Sequence, residues 1–246
     1  MAGHSHAKNV KIRKASVDAK RSRIFTKLSR LISIAARQGG GDPKLNAKLA
    51  FAIGKAKEVS LPKDTIEKAI KKGTGEDQSE SLEEIVYEGY GPSGVAIICE
   101  ILTDNRNRTA GDVRKIFDVY GGNLGSTNCV AYLFQRKGQF IIEAEGQDED
   151  AVMELALESG ADDFKRDGDY FIILCDPNNF DQVAAALAAK NIAPTQSDVA
   201  RVAETQVALE GDVAKRVAKL LDALDDNDDV QNVYSNASLP EDAYPS

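Results

Sequence analysis

Hydrophobic residues in the first 75 positions recur at spacings of three and four, which is the period of an amphipathic α-helix. The first apolar stripe consists of Ile24, Leu28, Leu31, Ile32 and Ala35. This stripe predicts a helix over residues 15–37. The helix should end at the glycines of residues 39–41, because glycine terminates helices well.

Two further helices are predicted before residue 75. Asp42 and Pro43 are typical of an N-cap and a first helical position. The second helix then carries an apolar stripe made of Leu45, Leu49, Ile53 and Ala56. A third helix is expected to begin at residues 61–64 and to end at Gly73, with Ile66, Ala69 and Ile70 facing inward. The glycines of residues 39–41 fit a helix–helix turn better than a phosphate loop, because no GK[ST] ending follows them.

The hydrophobic pattern changes after residues 73–81, a small, polar and acidic stretch that we interpret as a linker. Strand-like runs follow at residues 95–102, 130–134, 140–144, 170–175, 199–209 and 230–234. Helical patterns lie between them at residues 110–120, 149–159, 180–190 and 212–224.

These units form a weak internal repeat that predicts an α+β fold, an all-helical N-terminal domain followed by two ferredoxin-like domains. Residues 134–140 read as one strand that leaves the first α+β domain and enters the second. The last unit would then return to complete the first. This interpretation gives a basic helical domain at 1–75, a first α+β domain at 82–136 plus 206–240, and an inserted second one at 137–205. A simple sequential division is the alternative.

The net charge of −8 conceals a strong asymmetry along the chain. Residues 1–75 hold 18 of the 31 basic residues and 5 of the 39 acidic ones, a net charge of +13, so the remainder carries −21. Such a density of cations binds polyanions by neutralising phosphates and releasing counterions. The candidate nucleic-acid-binding residues of this domain are Lys8, Lys11, Arg13, Lys14, Lys20, Arg21, Arg23, Lys27 and Arg30.

On this interpretation the basic residues of the first helix form one solvent-facing surface, since almost no acid stands three or four residues away. The acidic run of residues 225–229 is interpreted as a solvated helix end and turn. Arg106 and Arg108 follow a predicted strand, with Thr109 as a candidate helix cap. These two arginines could contact phosphate or bridge two domains internally, and the sequence leaves both alternatives open.

Catalysis finds little support in the sequence. The two histidines, His4 and His6, lack further ligands for a metal, and no cofactor motif is found. The three cysteines fit buried free thiols in a reducing cytosol. We expect no signal peptide and no membrane span, which together indicate a cytoplasmic protein. The lack of a catalytic arrangement of residues predicts that it is not an enzyme.

Several motifs in matching order resemble the YebC family. They are MAGHS (1–5), DAKR (18–21), GGGDP (39–43), PKDTIEKAI (62–70), YEGYGP (87–92), LTDNRNRT (102–109), GGNLG (121–125), VAYLF (130–134) and DDVQNVY (228–234). The resemblance covers nearly the whole chain. One departure is that family members commonly have Lys-Trp where this chain has His6-Ala7.

The resemblance implies a three-domain fold and a role in gene expression. Family members are described as DNA-binding transcriptional regulators, mitochondrial ones resemble translational activators, and some bacterial ones are described as ribosome-associated factors that relieve stalling. The expected partner is therefore nucleic acid, either DNA or ribosomal RNA, and the ribosome is included among the candidates. The residues alone favour RNA, because no motif that reads base edges in duplex DNA is found. A small-molecule-sensing module is a more remote alternative.

Overall fold

The computed structural model describes residues 17–75 and 82–244, and at residues 17–21 and 241 it describes the backbone alone. Three helices form the N-terminal part, α1 (Val17–Gly39), α2 (Ala47–Glu58) and α3 (Lys63–Thr74). Their core contains Ile32, Ala35, Leu49, Ala52, Ala56, Leu61, Ile66 and Ala69. Four of these eight residues are alanines, which lets the helices pack closely. A Cβ built on Gly73 of α3 would lie 2.1 Å from the Ser33 carbonyl oxygen of α1.

The glycine turn after α1 is held by one asparagine. The Asn46 side chain donates to the carbonyl oxygens of Ala35 and Gly40, each at 2.8 Å, and accepts from the amide of Leu49 at 3.1 Å. Asn46 is therefore the N-cap of α2, and the prediction of Asp42 and Pro43 for this role is wrong. Asp42 instead accepts from the amide of Lys44 and closes a turn of its own.

The first sheet has the order β3-β1-β2-β9. Its strands are β1 (Glu83–Tyr90), β2 (Ala96–Thr103), β3 (Asn123–Leu124) and β9 (Val230–Ser235). Two helices, α4 (Arg106–Val119) and α7 (Gly211–Asp225), pack their apolar sides on this sheet. The pairing expected between residues 230–234 and 95–102 is present, with Ile98 opposite Tyr234.

The second sheet has the order β5-β6-β4-β7 and is antiparallel throughout. Its strands are β4 (Phe134–Glu143), β5 (Ala161–Asp167), β6 (Tyr170–Cys175) and β7 (Gln196–Ala203). The helices α5 (Glu149–Glu158) and α6 (Phe180–Ala189) complete a strand–helix–strand–strand–helix–strand unit. The predicted α+β fold is confirmed.

Some predicted boundaries are wrong. The strand expected at residues 199–209 is two strands, β7 and the short β8 (Val207–Ala208), which pairs in parallel with β10 (Ala237–Ser238). Helix α4 begins at Arg106 with Asn105 as its cap, so Thr109 lies inside the first turn. Helix α3 extends through Gly73 to Thr74, so those residues are not linker.

The two sheets meet through an apolar cluster at the start of β4. Phe134 packs there with Ala96, Ile98 and Val130, and Tyr234 lies beside them. On the neighbouring strands, the Glu100 carboxylate accepts from the Arg201 guanidinium at 3.0 Å. We propose domains at 1–75, at 82–136 plus 206–240, and at 137–205.

Candidate nucleic-acid interface

The candidate basic residues fall into three structural groups. Lys8, Lys11, Arg13 and Lys14 lie outside the described residues. Lys20 and Arg21 lie on α1, where only the backbone is described. The remaining five candidates have described side chains, and four of them form ion pairs with described residues.

The basic face of α1 packs on the acidic segment, which we define as residues 225–229 at the end of α7 and before β9. The ion pairs join Arg23 to Asp226 (2.7 Å), Lys27 to Asp225 (3.2 Å) and Arg30 to Asp229 (2.6 Å). The Lys27 ammonium also donates to the Asp225 carbonyl oxygen at 2.6 Å. The side chains of Lys27 and Arg30 are only 14% and 20% exposed.

Two sequence-based interpretations are therefore wrong. The acidic segment is not merely solvated, and the cations of α1 from Arg23 to Arg30 are not freely available. The acids of Lys27 and Arg30 lie 198 and 199 residues away along the chain, so the spacing of charges within one helix could not reveal them.

Asp229 is the centre of this contact. Its carboxylate is buried and accepts from Arg30 at 2.6 Å, from Arg108 at 2.9 Å and from the Thr109 hydroxyl at 2.6 Å. Burial by itself would raise the pKa of Asp229. The hydrogen bonds from Thr109 and Arg108 and the charge of Arg30 outweigh it, so the pKa lies below its ordinary value.

The two arginines of α4 have different surroundings. Arg108 pairs with Asp104 and Asp229, each at 2.9 Å, so it is bound internally within the first α+β domain and does not itself bridge two domains. Arg106 is exposed at the first position of α4, and the described residues offer its guanidinium no ion pair. No hydrogen bond or ion pair joins Arg106 to Arg23, Lys27 or Arg30, the candidate residues of α1 whose side chains are described.

Exposed cations remain on the other faces of the helical domain, and the candidate set missed them. Those without an ion pair to any described residue are Arg37, Lys44, Lys48, Lys55, Lys57, Lys68, Lys71 and Lys72. Lys55 is half-buried and the others are exposed. The sequence signal for them is the net charge of +13 over residues 1–75, part of which comes from cations outside the first helix.

A second set of motif residues has a structural role. Glu88 of β1 is buried, and its carboxylate accepts from the amides of Asn128, Val130 and Ala131 at 2.8–2.9 Å. The Tyr90 hydroxyl donates to the Cys129 carbonyl oxygen at 2.8 Å. The YEGYGP and VAYLF motifs therefore meet and hold one loop in place. Because the Glu88 carboxylate accepts three hydrogen bonds there, its role is structural.

Groups suited to catalysis are scarce in the described part of the chain. Burial raises the pKa of the Cys99 thiol to about 12 and also raises the pKa of Cys129 and Cys175. Cys99 and Cys175 are buried, whereas Cys129 is half-buried. Residues 17–75 and 82–244 contain no cluster of three or more histidine, cysteine, aspartate or glutamate residues placed to hold a metal ion. Across these same ranges, every helix is too short or too polar to span a membrane.

Comparison with known proteins assigns both parts of the chain to one family. The model of the TACO1/YebC N-terminal domain matches residues 5–76, and that of the TACO1/YebC second and third domain matches residues 82–237. A probable transcriptional regulatory protein of Pelotomaculum thermopropionicum is 51% identical over 241 residues, covering 97% of this chain and 99% of the relative. One from Desulforapulum autotrophicum is 49% identical over 244 residues and covers 99% of each chain.

A solved structure gives the same result at the level of the fold. The crystal structure of a conserved hypothetical protein, Aq1575 from Aquifex aeolicus, superposes with a TM-score of 0.83 at 41% sequence identity. It covers 92% of this chain and 94% of that chain. Since both family models and the relatives span nearly its full length, this chain belongs to the TACO1/YebC family.

Proposed function

We propose that this chain is a regulator of gene expression that acts by binding nucleic acid through its basic helical domain. The observation that carries the proposal is the set of exposed cations on that domain without acid partners among the described residues. Its relatives are named probable transcriptional regulatory proteins, which supports a regulatory role. Duplex DNA is the ligand that we propose for such a role, and RNA, including that of the ribosome, is the alternative.

The phosphate-binding surface we propose differs from the stripe on α1. Lys27 and Arg30 are assigned to holding the helical domain against the acidic segment, because their side chains are largely covered and paired. Lys8, Lys11, Arg13, Lys14, Lys20 and Arg21 remain proposed phosphate contacts, together with the half-exposed Arg23 and with Arg106. The exposed lysines of α2 and α3 join them.

We also propose that the protein works by binding and not by catalysis. The raised thiol pKa values support this proposal, because a nucleophilic cysteine needs its thiolate form. The two histidines lie at positions 4 and 6, outside the described residues. Phosphate contacts position a protein on nucleic acid without reading its sequence, so the domain supplies affinity and little sequence choice.

Crosslinking in cells tests this proposal directly. Ultraviolet crosslinking, followed by sequencing of the bound nucleic acid and mass spectrometry of the crosslinked peptides, identifies the ligand and the contact surface together. We expect crosslinked peptides from residues 1–75. Crosslinks confined to residues 82–244, or no crosslinked nucleic acid above an unirradiated control, would contradict the proposal.

A further inference from the structure

Helix α2 presents two large apolar side chains to solvent. It buries Leu49, Ala52 and Ala56 against the other helices. On its opposite side Phe51 is 48% exposed, and Leu45, in the turn before the helix, is 85% exposed. At this exposure Phe51 contributes little to the core, and its ring is accessible from solvent.

Lysines surround this phenylalanine. The Lys55 ammonium lies 4.7 Å from the centre of the Phe51 ring. Lys48 precedes the ring by one helical turn and donates to Gln38 at 2.9 Å, which leaves its charge without a carboxylate partner among the described residues. Lys44 is exposed in the preceding turn, and Glu58 is the acid at the far end of the same face. The face is therefore positive with an aromatic at its centre.

Packing against the described residues does not require a glycine at position 54, which follows Phe51 by one helical turn. Gly54 lies in the middle of α2, and a Cβ built on it would meet no atom within 4 Å. Glycine in a helix interior is less favourable than alanine by about 1 kcal/mol. Gly73 differs, because a Cβ there would clash with Ser33. The absence of a side chain at Gly54 opens the helix backbone next to Phe51 to a close approach by a ligand.

We infer that the α2 face, defined as Lys44, Leu45, Lys48, Phe51, Gly54 and Lys55, binds an unpaired segment of RNA. This inference rests on the proposed function and names its ligand class. Lysines attract the phosphates, and an exposed ring stacks on a base that is not already stacked in a duplex. Unpaired bases available for such stacking are found chiefly in RNA loops, bulges and ends.

Binding of the full-length chain to three labelled probes of one sequence tests the inference. The probes are a single-stranded RNA, the corresponding single-stranded DNA and the corresponding duplex DNA, each read by fluorescence anisotropy. We expect Phe51→Ala to weaken binding of the RNA strand about 5- to 150-fold, which corresponds to the loss of one stacked base. Phe51→Trp should retain the affinity, and the effect on the duplex should be small.

Two further variants separate stacking from general damage. Gly54→Leu should weaken RNA binding because the side chain covers the helix backbone beside Phe51. The helix should become no less stable, since a Cβ at this position meets no atom within 4 Å and leucine favours helix over glycine. Tyr132→Ala removes another aromatic side chain, 72% exposed, from outside the helical domain and serves as the matched control. It should leave RNA binding unchanged.

The outcomes distinguish this inference from the proposed function. If the chain binds nucleic acid but Phe51→Ala binds the RNA strand as tightly as the unmodified protein, the α2 face is not the site and the proposed function stands. Tighter binding of the DNA strand than of the RNA strand would overturn the assignment to RNA. Binding of no probe at low salt would overturn the inference and the proposed function together.

Discussion

Asp229 shows how a single carboxylate joins two parts of this molecule. It is buried, yet it has two arginines and a hydroxyl as donors, so its charge is compensated. Removing one partner from such a cluster leaves the others unpaired in a poorly solvated place, which destabilises more than the loss of an exposed pair.

We predict that Asp229→Asn lowers the free energy of unfolding by about 2 kcal/mol, less than for a fully buried pair because Arg108 is half exposed. Urea denaturation measures the change. Asp228→Asn, at the exposed neighbouring position, is the control and should change stability by no more than about 0.5 kcal/mol. Equal stability of the two variants would show that the cluster contributes nothing.

The same residue predicts a pH dependence. Its pKa is lower in the folded chain than its ordinary value of 3.8, so its contribution is fully present above that pH. The contribution is lost as the pH falls through the folded pKa, because protonation removes the charge. Urea midpoints measured from pH 7 down to pH 3 should fall more steeply for the unmodified chain than for Asp229→Asn. Parallel curves would refute the assignment.

Glu88 is the second residue whose role is local and testable. Glu88→Gln replaces one acceptor oxygen by an NH2 group, which would face one or two of the three backbone donors. It should lower the free energy of unfolding by about 2 kcal/mol and speed amide hydrogen exchange at Asn128, Val130 and Ala131. Glu83→Gln, at an exposed position of the same strand, should change neither. Unchanged amide hydrogen exchange in the Glu88 variant would contradict the proposal that Glu88 anchors this loop.

At the scale of elements, hydrophobic period predicted the helices well and the edge strands poorly. Helices α1 and α5–α7 lie within about two residues of their predicted bounds. Strand β5 was missed because it is an edge strand whose residues are mostly polar and exposed, and β1 because it is rich in glutamate. The caps of α2 and α4 are asparagines, Asn46 and Asn105, where Asp42 and Thr109 seemed equally suitable by residue type.

Two glycines within helices give opposite predictions. Gly54→Ala should raise the free energy of unfolding by about 0.5–1 kcal/mol, because the position is open and alanine favours the helix. Gly73→Ala should lower it by about 2 kcal/mol or more, because α1 and α3 must move apart. Thermal denaturation of the two variants decides between them. A loss of stability in Gly54→Ala would show that its glycine serves the fold.

At the scale of the whole molecule, the sequence predicted the charge asymmetry. It did not predict that part of the positive charge pairs with the acidic segment inside the molecule. The net charge of residues 1–75 indicates an excess of cations in the N-terminal part. Which of those cations meet solvent depends on how the helical domain packs on the acidic segment, a contact between residues nearly 200 positions apart. Helical periodicity separates an apolar face from a polar one, but it cannot tell a polar face in water from one against a second domain.

This packing changes the expected behaviour of one variant. By the sequence alone, replacing Arg23, Lys27 and Arg30 with alanine would weaken nucleic-acid binding and leave the melting temperature nearly intact. The ion pairs instead predict a lower melting temperature, because the contact between α1 and the acidic segment is lost. A triple variant with an unchanged melting temperature would contradict the role assigned to these pairs.

The central claim is that exposed cations of the helical domain bind nucleic acid, and a salt titration of binding tests it most directly. The test variant replaces Lys44, Lys48, Lys68 and Lys72 with glutamine, and its control makes the same change at Lys115, Lys190, Lys215 and Lys219, which are equally exposed in the α+β part. We predict that the slope of log affinity against log salt falls by about one unit for each test lysine that contacts a phosphate, while the control keeps the slope of the unmodified chain. An unchanged slope in the test variant, or an equal fall in both, would contradict the account.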